Sequence, residues 1–172
     1  MKDKANISKI KGPTKSKRLN SRNKGNTFER KIASLLNDRF NTQDFCRSPG
    51  SGAFASTHRL PEHMKLHGDL ITPQMFRFTI ECKKGYNKEN LSSFFKPNSN
   101  LQKFIEQAGK DAKSADREPM IIFKQDRSVT IVIVRTNTYT TNIENKLIWK
   151  EYCICPLEEL LSINDNYFFT QT

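Results

Sequence analysis

Two carboxylates, Asp69 and Glu81, stand twelve positions apart, and a lysine, Lys83, follows the second by two. Most of the segment joining them, FRFTIECK at 76–83, alternates strictly. Phe76, Phe78, Ile80 and Cys82 fall on one side, and Arg77, Thr79, Glu81 and Lys83 on the other, which is the period of a strand with one buried face. A hairpin turning at 73–75 would set Asp69 opposite Glu81, with Cβ atoms about 4.5–5.5 Å apart. Lys83 would lie about 6.6 Å further along the same face. Carboxylates that close repel unless a proton or a cation lies between them. Two acids and a lysine suit a hard divalent ion such as Mg2+, with Mn2+ able to substitute, held together with water and a substrate phosphate. Such an ion acidifies a bound water and offsets charge developing on phosphorus. The chemistry that these residue types allow is phosphodiester hydrolysis. The same residues also fit a solvated strand face carrying an ordinary Glu–Lys pair. The hairpin register puts Ile71 on the polar side, which predicts a kink or bulge beside Asp69.

The elements that must position these residues can be read from periodicity. A first helix is predicted over 26–40 (NTFERKIASLLNDRF), capped by Asn26 or Thr27, with Phe28, Ile32, Leu35 and Leu36 on one side. A short strand over 44–47 leads into the turn-rich SPGSG at 48–52. Residues 53–67 read as a loop insertion carrying His58, His63 and His67, and residues 84–99 as a polar loop around Phe94 and Phe95. Leu101, Phe104, Ile105, Ala108 and Ala112 define a second amphipathic helix, with Asn100 as its expected cap. PMIIF at 119–123 and VTIVIVR at 129–135 are apolar strands, and 148–155 is a further strand candidate. PLEELLSI at 156–163 reads as a C-terminal helix with proline in its first position. The predicted class is α/β, a mixed central sheet flanked by helices.

Charge is distributed unevenly. Residues 1–24 hold nine Lys or Arg against one acid, Asp3, while the other 148 residues hold 20 basic and 17 acidic side chains. The organisation expected is a basic, disordered arm at 1–24 followed by a single domain at 25–172. An arm of this kind serves a polyanion such as DNA, because neutralised phosphates release counterions. A solubility or targeting tail would have the same composition. The four cysteines, Cys46, Cys82, Cys153 and Cys155, form no C-x-x-C pair and no disulfide framework, so reduced thiols in a cytoplasmic protein are expected. The apolar runs are strand-length, which predicts neither export nor membrane insertion. The three histidines lack the tight pairs and further ligands of a zinc site.

Asp69, then Glu81-Cys82-Lys83, resemble the signature of the PD-(D/E)XK nucleases, with Gly68 where the motif has proline. More narrowly, NKGNTFERKIASLL, FCRSPGSG, GDL, IECK and LQKFIEQAGKDA resemble, in that order, the archaeal-type Holliday junction resolvases. The resemblance spans about residues 22–124, and it implies a restriction-endonuclease-like core. It implies Asp69, Glu81 and the Cys82 backbone carbonyl as metal ligands, Glu29 as a third acid acting directly or through water, and Lys83 as the catalytic lysine. Arg30 and Arg47 would contact phosphates, a role that suits the planar guanidinium fork. Ser48 and Ser51 lie on the turn beside them, and Arg22, Lys24 and Lys84 would add DNA contacts. Gln107 and His67 are weaker candidates. Other readings stand beside these. Glu29 follows Asn26 by three and fits a capping box, Arg30 and Gln107 fit an exposed helix surface, and Arg47 fits a plain turn. The function implied is a Mg2+-dependent endonuclease making paired nicks in four-way DNA junctions as a homodimer, with Phe94 and Phe95 as candidate interface residues. A nuclease acting on duplex, flap or single-stranded DNA, or a DNA-binding protein without catalysis, would share much of this sequence pattern.

Overall fold

The computed structural model describes residues 21–49 and 67–170. Residues 1–20 of the expected arm, Ser51, His58 and His63 lie outside the described residues. In chain order the elements are α1 (Ser21–Phe40), β1 (Cys46–Arg47), β2 (Leu70–Ile71), β3 (Phe78–Lys84), α2 (Asn100–Ser114), β4 (Glu118–Lys124), β5 (Thr130–Arg135), β6 (Leu147–Trp149), β7 (Tyr152–Pro156) and α3 (Leu157–Leu161). Five strands form a mixed sheet in the order β3-β4-β5-β7-β6, and β1 and β2 make a separate antiparallel pair. The fold is α/β, as its sequence pattern predicts.

β3 and β4 run parallel, with Glu81 beside Ile121 and Lys83 beside Phe123, and α2 makes the crossover that parallel neighbours require. The strand alternation divides the core between the two sheet faces. Phe78, Ile80 and Cys82 join Met120, Ile122, Val132, Val134, Cys153 and Cys155 under α1 and α3. Ile121, Phe123, Ile133 and Ile154 face α2 through Leu101, Phe104, Ile105 and Ala108. Glu81 and Lys83, out of phase with Ile80 and Cys82, therefore stand on the α2 face of the edge strand.

Several local expectations are corrected. α1 starts at Ser21, so residues 21–24 are helical and Asn26 and Thr27 lie inside the helix, Thr27 bonding back to the Asn23 carbonyl. Ser99, not Asn100, caps α2 by accepting from the Gln102 N–H. The 148–155 segment is two strands joined through Lys150, which has a φ of 52°. The loop after β3 holds a short 3-10 turn, Leu91–Phe94, which buries Phe94 and leaves Phe95 71 % exposed.

The expected hairpin is corrected most. β2 pairs with β1, with Ile71 beside Cys46 and Leu70 beside Arg47, and forms no ladder with β3 among the described residues. Leu70 goes to the core, while the chain after Asp69 pairs with β1 instead of β3. What survives of the hairpin is local: the Asp69 N–H donates to the Ile80 carbonyl at 2.8 Å. Gly68 makes that approach possible. Its φ is +77°, and a Cβ there would stand 2.5 Å from the Ile80 carbonyl oxygen.

The chain beyond residue 136, which the resolvase resemblance left unexplained, completes the core. Tyr167 and Phe168 pack with Phe40, Phe45, Phe76 and Phe78 in one aromatic cluster. The Arg77 N–H donates to the Phe168 carbonyl at 2.7 Å, and Phe76 bridges Phe169, so the C-terminal segment steadies the entry to β3. No described helix is long and apolar enough to cross a membrane.

Candidate active site

β3 is an edge strand, and its outer side is where the candidate catalytic groups meet. In an extended strand each residue turns its N–H and C=O to the same side. Ile80 and Cys82 turn theirs outward, because the Ile80 carbonyl accepts from Asp69 and the Cys82 N–H donates to Asp69 Oδ2 at 2.7 Å. One aspartate thus closes the sheet edge with its backbone and its carboxylate, and the Cys82 carbonyl opens on the same side as that carboxylate.

Glu81 is only 3 % exposed. Burial, and then the nearby Asp69 carboxylate, raise its pKa to about 7, although Lys83 pulls the other way through charge and a hydrogen bond to Oε1. Burial lowers the Lys83 pKa, but Glu81 and Asp69 more than offset this and leave it above the ordinary lysine value. The Lys83 ammonium also lies 5.1 Å from the centre of the Phe104 ring, which confines it from the α2 side. The two acids expected to pair across a hairpin are therefore electrostatic neighbours without a hairpin. Cys82 itself buries its thiol in the core under α1, and that burial raises its pKa.

Glu29 comes to the site from α1 and is buried. It does not complete a capping box. Arg47 Nε donates to Glu29 Oε2 at 2.5 Å, and Arg47 Nη2 donates to Asn26 Oδ1 at 3.0 Å. Helix α1 and strand β1 are so joined by a charge-assisted pair, in which Arg47 fixes the third acid. Asn26, which sequence reasoning took for a cap, instead holds the arginine.

Glu29, Arg47, Asp69 and Lys83 line a cleft of about 750 Å³, whereas Glu81 is buried behind them and is not part of its wall. Its wall includes Arg22, Lys24, Glu29, Arg47, Asp69, Cys82, Lys83 and Lys84, which brings together most of the residues proposed from sequence. Lys84 reaches across the Phe28 ring at 5.7 Å. Three cleft residues went unnoticed in the sequence: Tyr86, Asn87 and Asp126. Asn87 donates to Asp126 Oδ2 at 3.0 Å, and this bond, with Lys24, lowers the pKa of the exposed aspartate. The signal available for them was the Gly85-Tyr86-Asn87 turn directly after the strand. Arg30 and Gln107 are exposed and do not line the cleft. Ser48 is buried and, with His67, lines a different cavity.

Residues 20–168 match the model of a family described as "Phage putative PDDEXK endonuclease". The chain belongs to this family. A member of the PDDEXK endonucleases by that measure, it is also 31 % identical over 119 residues to Protein D14 of Escherichia phage T5, an alignment covering 66 % of this chain and 70 % of the relative. No solved structure matches. The acids and lysine at the edge of β3 occupy the order that gives the family its name.

The donor chemistry of this PDDEXK site fits a hard divalent cation. Among the described residues no three His, Cys, Asp or Glu side chains converge to form a cage. The available donors are two carboxylates, Asp69 and Glu81, and a backbone carbonyl, all oxygen. Mg2+ is held in this way, by one or two carboxylates with the remaining positions left to water and phosphate. Glu81, whose ionisation is opposed by burial and by Asp69, is a group that a cation would stabilise.

Proposed function

We propose that this PDDEXK endonuclease is a Mg2+-dependent, structure-selective DNA endonuclease that resolves four-way junctions. The observation that carries the catalytic part is that Asp69 and Lys83 line one basic cleft with the Glu29–Arg47 pair, with the buried Glu81 bonded to Lys83 and electrostatically coupled to Asp69 at the same strand. The junction part rests on the order of motifs from the ERKIA helix through RSPGSG to the β3 lysine.

Asp69, Glu81 and the Cys82 carbonyl would hold the ion. When bound, Mg2+ supplies an acidified water and neutralises charge at the phosphate. Lys83 remains cationic at neutral pH, because Glu81 and Asp69 hold its pKa up, so it acts as a hydrogen-bond donor and positive charge and not as a base. In hydrolysis one P–O bond forms to the water oxygen and one P–O bond to the departing sugar breaks. The departing oxygen takes up a proton and the attacking water gives one up. Lys83 donates to the non-bridging oxygens as negative charge builds there, an effect worth most in a partly dry site. Arg47 keeps Glu29 at the mouth, and its remaining N–H donors, with Arg22, Lys24 and Lys84, hold neighbouring phosphates.

A two-fold junction requires two nicks related by symmetry, which a homodimer with one site per protomer supplies. The basic segment at 1–20 would grip duplex arms without sequence preference, so its removal should lower the salt dependence of binding. The test is cleavage of a labelled four-way junction beside matched linear duplex and flap, in Mg2+ and in EDTA. Paired symmetric nicks confined to the junction are expected. Equal cutting of linear duplex would leave an endonuclease and discard junction selectivity.

A further inference from the structure

A second, smaller cavity of about 270 Å³ adjoins the β1–β2 pair and includes Ser48, His67, Leu70, Thr72, Thr79 and Arg117 in its wall. It shares no residue with the catalytic cleft, yet Ser48 follows Arg47, Leu70 follows Asp69, and Thr79 precedes Glu81 by two on the same strand face. Successive residues of extended chain point to opposite sides. A single stretch of backbone therefore serves both hollows.

Three properties set this cavity apart. Among the described residues no acidic side chain lines it, whereas the catalytic cleft has Glu29, Asp69 and Asp126. Ser48 is 1 % exposed and its hydroxyl has no hydrogen-bond partner among the described residues, while its N–H is fixed on the Asp69 carbonyl at 2.9 Å. Buried polar groups in native proteins are almost always satisfied, so an orphan lining a cavity is open to a partner from outside the chain, a water or a ligand oxygen. Arg117 is half-buried and donates to Thr72 Oγ1, the Pro73 carbonyl at 3.3 Å and the Gln74 carbonyl at 3.1 Å, all neutral acceptors. It forms no ion pair with any described carboxylate, and its fork of five N–H donors is not exhausted by three bonds. A cationic fork, an orphan hydroxyl, further hydroxyls and an imidazole, with no carboxylate among them, select an anion the size of one phosphate group.

We propose that this cavity binds a backbone phosphate of the substrate strand, a neighbour of the phosphate held at Asp69, Glu81 and Lys83. Arg47 and Asp69 in the cleft wall are followed directly by Ser48 and Leu70 in the cavity wall, so the two sites are close enough to hold one strand at two points and fix which bond reaches the catalytic groups. This rests on the DNA-cleaving reading of the cleft. The experiment measures affinity of the full chain for labelled four-way junction and duplex in EDTA, across salt, for wild type, Ser48→Ala, Arg117→Gln and the double variant. Thermal melting is read in parallel, with and without inorganic phosphate.

Ser48→Ala should weaken DNA binding about tenfold. Its melting temperature should be unchanged or higher, because the lost hydroxyl had no partner in the free protein. Arg117→Gln should lower the slope of log affinity against log salt by about one. The double variant should lose less than the two single losses combined. If Arg117→Gln melts early, Ser48→Ala carries the test alone. Unchanged affinity in Ser48→Ala, with its fold intact, overturns the proposal while leaving the nuclease reading in place. Inorganic phosphate that stabilises wild type but not Ser48→Ala, with DNA affinity unchanged, assigns the cavity to a free anion and also overturns it. A wild type that binds no DNA overturns the nuclease reading itself.

Discussion

The two edges of the five-stranded sheet solve the same problem with opposite chemistry. At β3 the open backbone is closed by Asp69, whose N–H and carboxylate take the Ile80 carbonyl and the Cys82 N–H, and a buried glutamate stands directly behind. At β6 the strand is three residues long, with Leu147 and Ile148 51 % and 53 % exposed and Lys146 and Lys150 at its ends. Brevity and lysines are the ordinary means of blunting an edge. Charge buried beside a backbone edge is not, since each buried carboxylate opposes ionisation of the next. The contrast teaches that this fold concentrates opposed charge at one edge of its sheet and keeps the other edge plain. At the β3 edge burial and Asp69 both oppose ionisation of Glu81, and at β6 no such conflict arises among the described residues.

Removing the lysine should break the comparison most. Lys83→Met should slow cleavage by about 10²–10³-fold, as expected for losing one donor aimed at developing charge, measured in single-turnover assays on nicked or junction DNA. It also leaves Glu81 buried without its counter-charge, so the variant should bind Mg2+ no more weakly than wild type. Next comes Gly68→Ala. Its Cβ would meet the Ile80 oxygen at 2.5 Å and Thr79 Cγ2 at 2.9 Å, at a φ of +77°. The expected loss is roughly 2–4 kcal/mol in urea unfolding.

A gentler probe is pH. Glu81 has its pKa raised from 4.5 to about 7 in the folded chain. The folded state thus holds that proton more tightly than the unfolded one. Its contribution is fully present below about pH 4.5 and is lost as pH rises through 7. Stability of wild type minus that of Glu81→Gln, followed in EDTA, should decline across that window and level off above it. Added Mg2+ should reverse the decline, with proton release detectable by calorimetry in buffers of different ionisation heat. The smallest effect belongs to the other edge. Leu147→Ser and Ile148→Ser should each change stability by no more than about 0.5 kcal/mol and leave the rate of junction cleavage unaltered.

Legibility in the sequence followed the same division. The eight-residue alternation at 76–83 and the heptad-like stripe of α2 were enough for β3, α2 and the α/β class, because each buries a face whose period is local. Asp69 beside Glu81 was legible for a partly wrong reason. The spacing was right, but the contact comes from one backbone bond at a glycine kink and not from a paired hairpin. Arg47 on Glu29 joins residues 18 apart through side chains alone, which no periodicity announces. The Asn26 reading failed because a helix can begin earlier, in a run with little apolar pattern, when its later turns are packed. Tyr167 and Phe168 were unreadable as core, since a short aromatic run after the last helix has no period at all.

The most direct test of the account is to compare wild type with Glu81→Ala for both binding and cutting of the same labelled junction in Mg2+. The account predicts that wild type cuts, that EDTA abolishes cutting, and that Glu81→Ala binds with near-normal affinity but leaves the DNA intact. Cleavage that persists in Glu81→Ala, or a wild type that binds tightly and never cuts with Mg2+ present, would contradict the claim that the β3 edge is a catalytic centre.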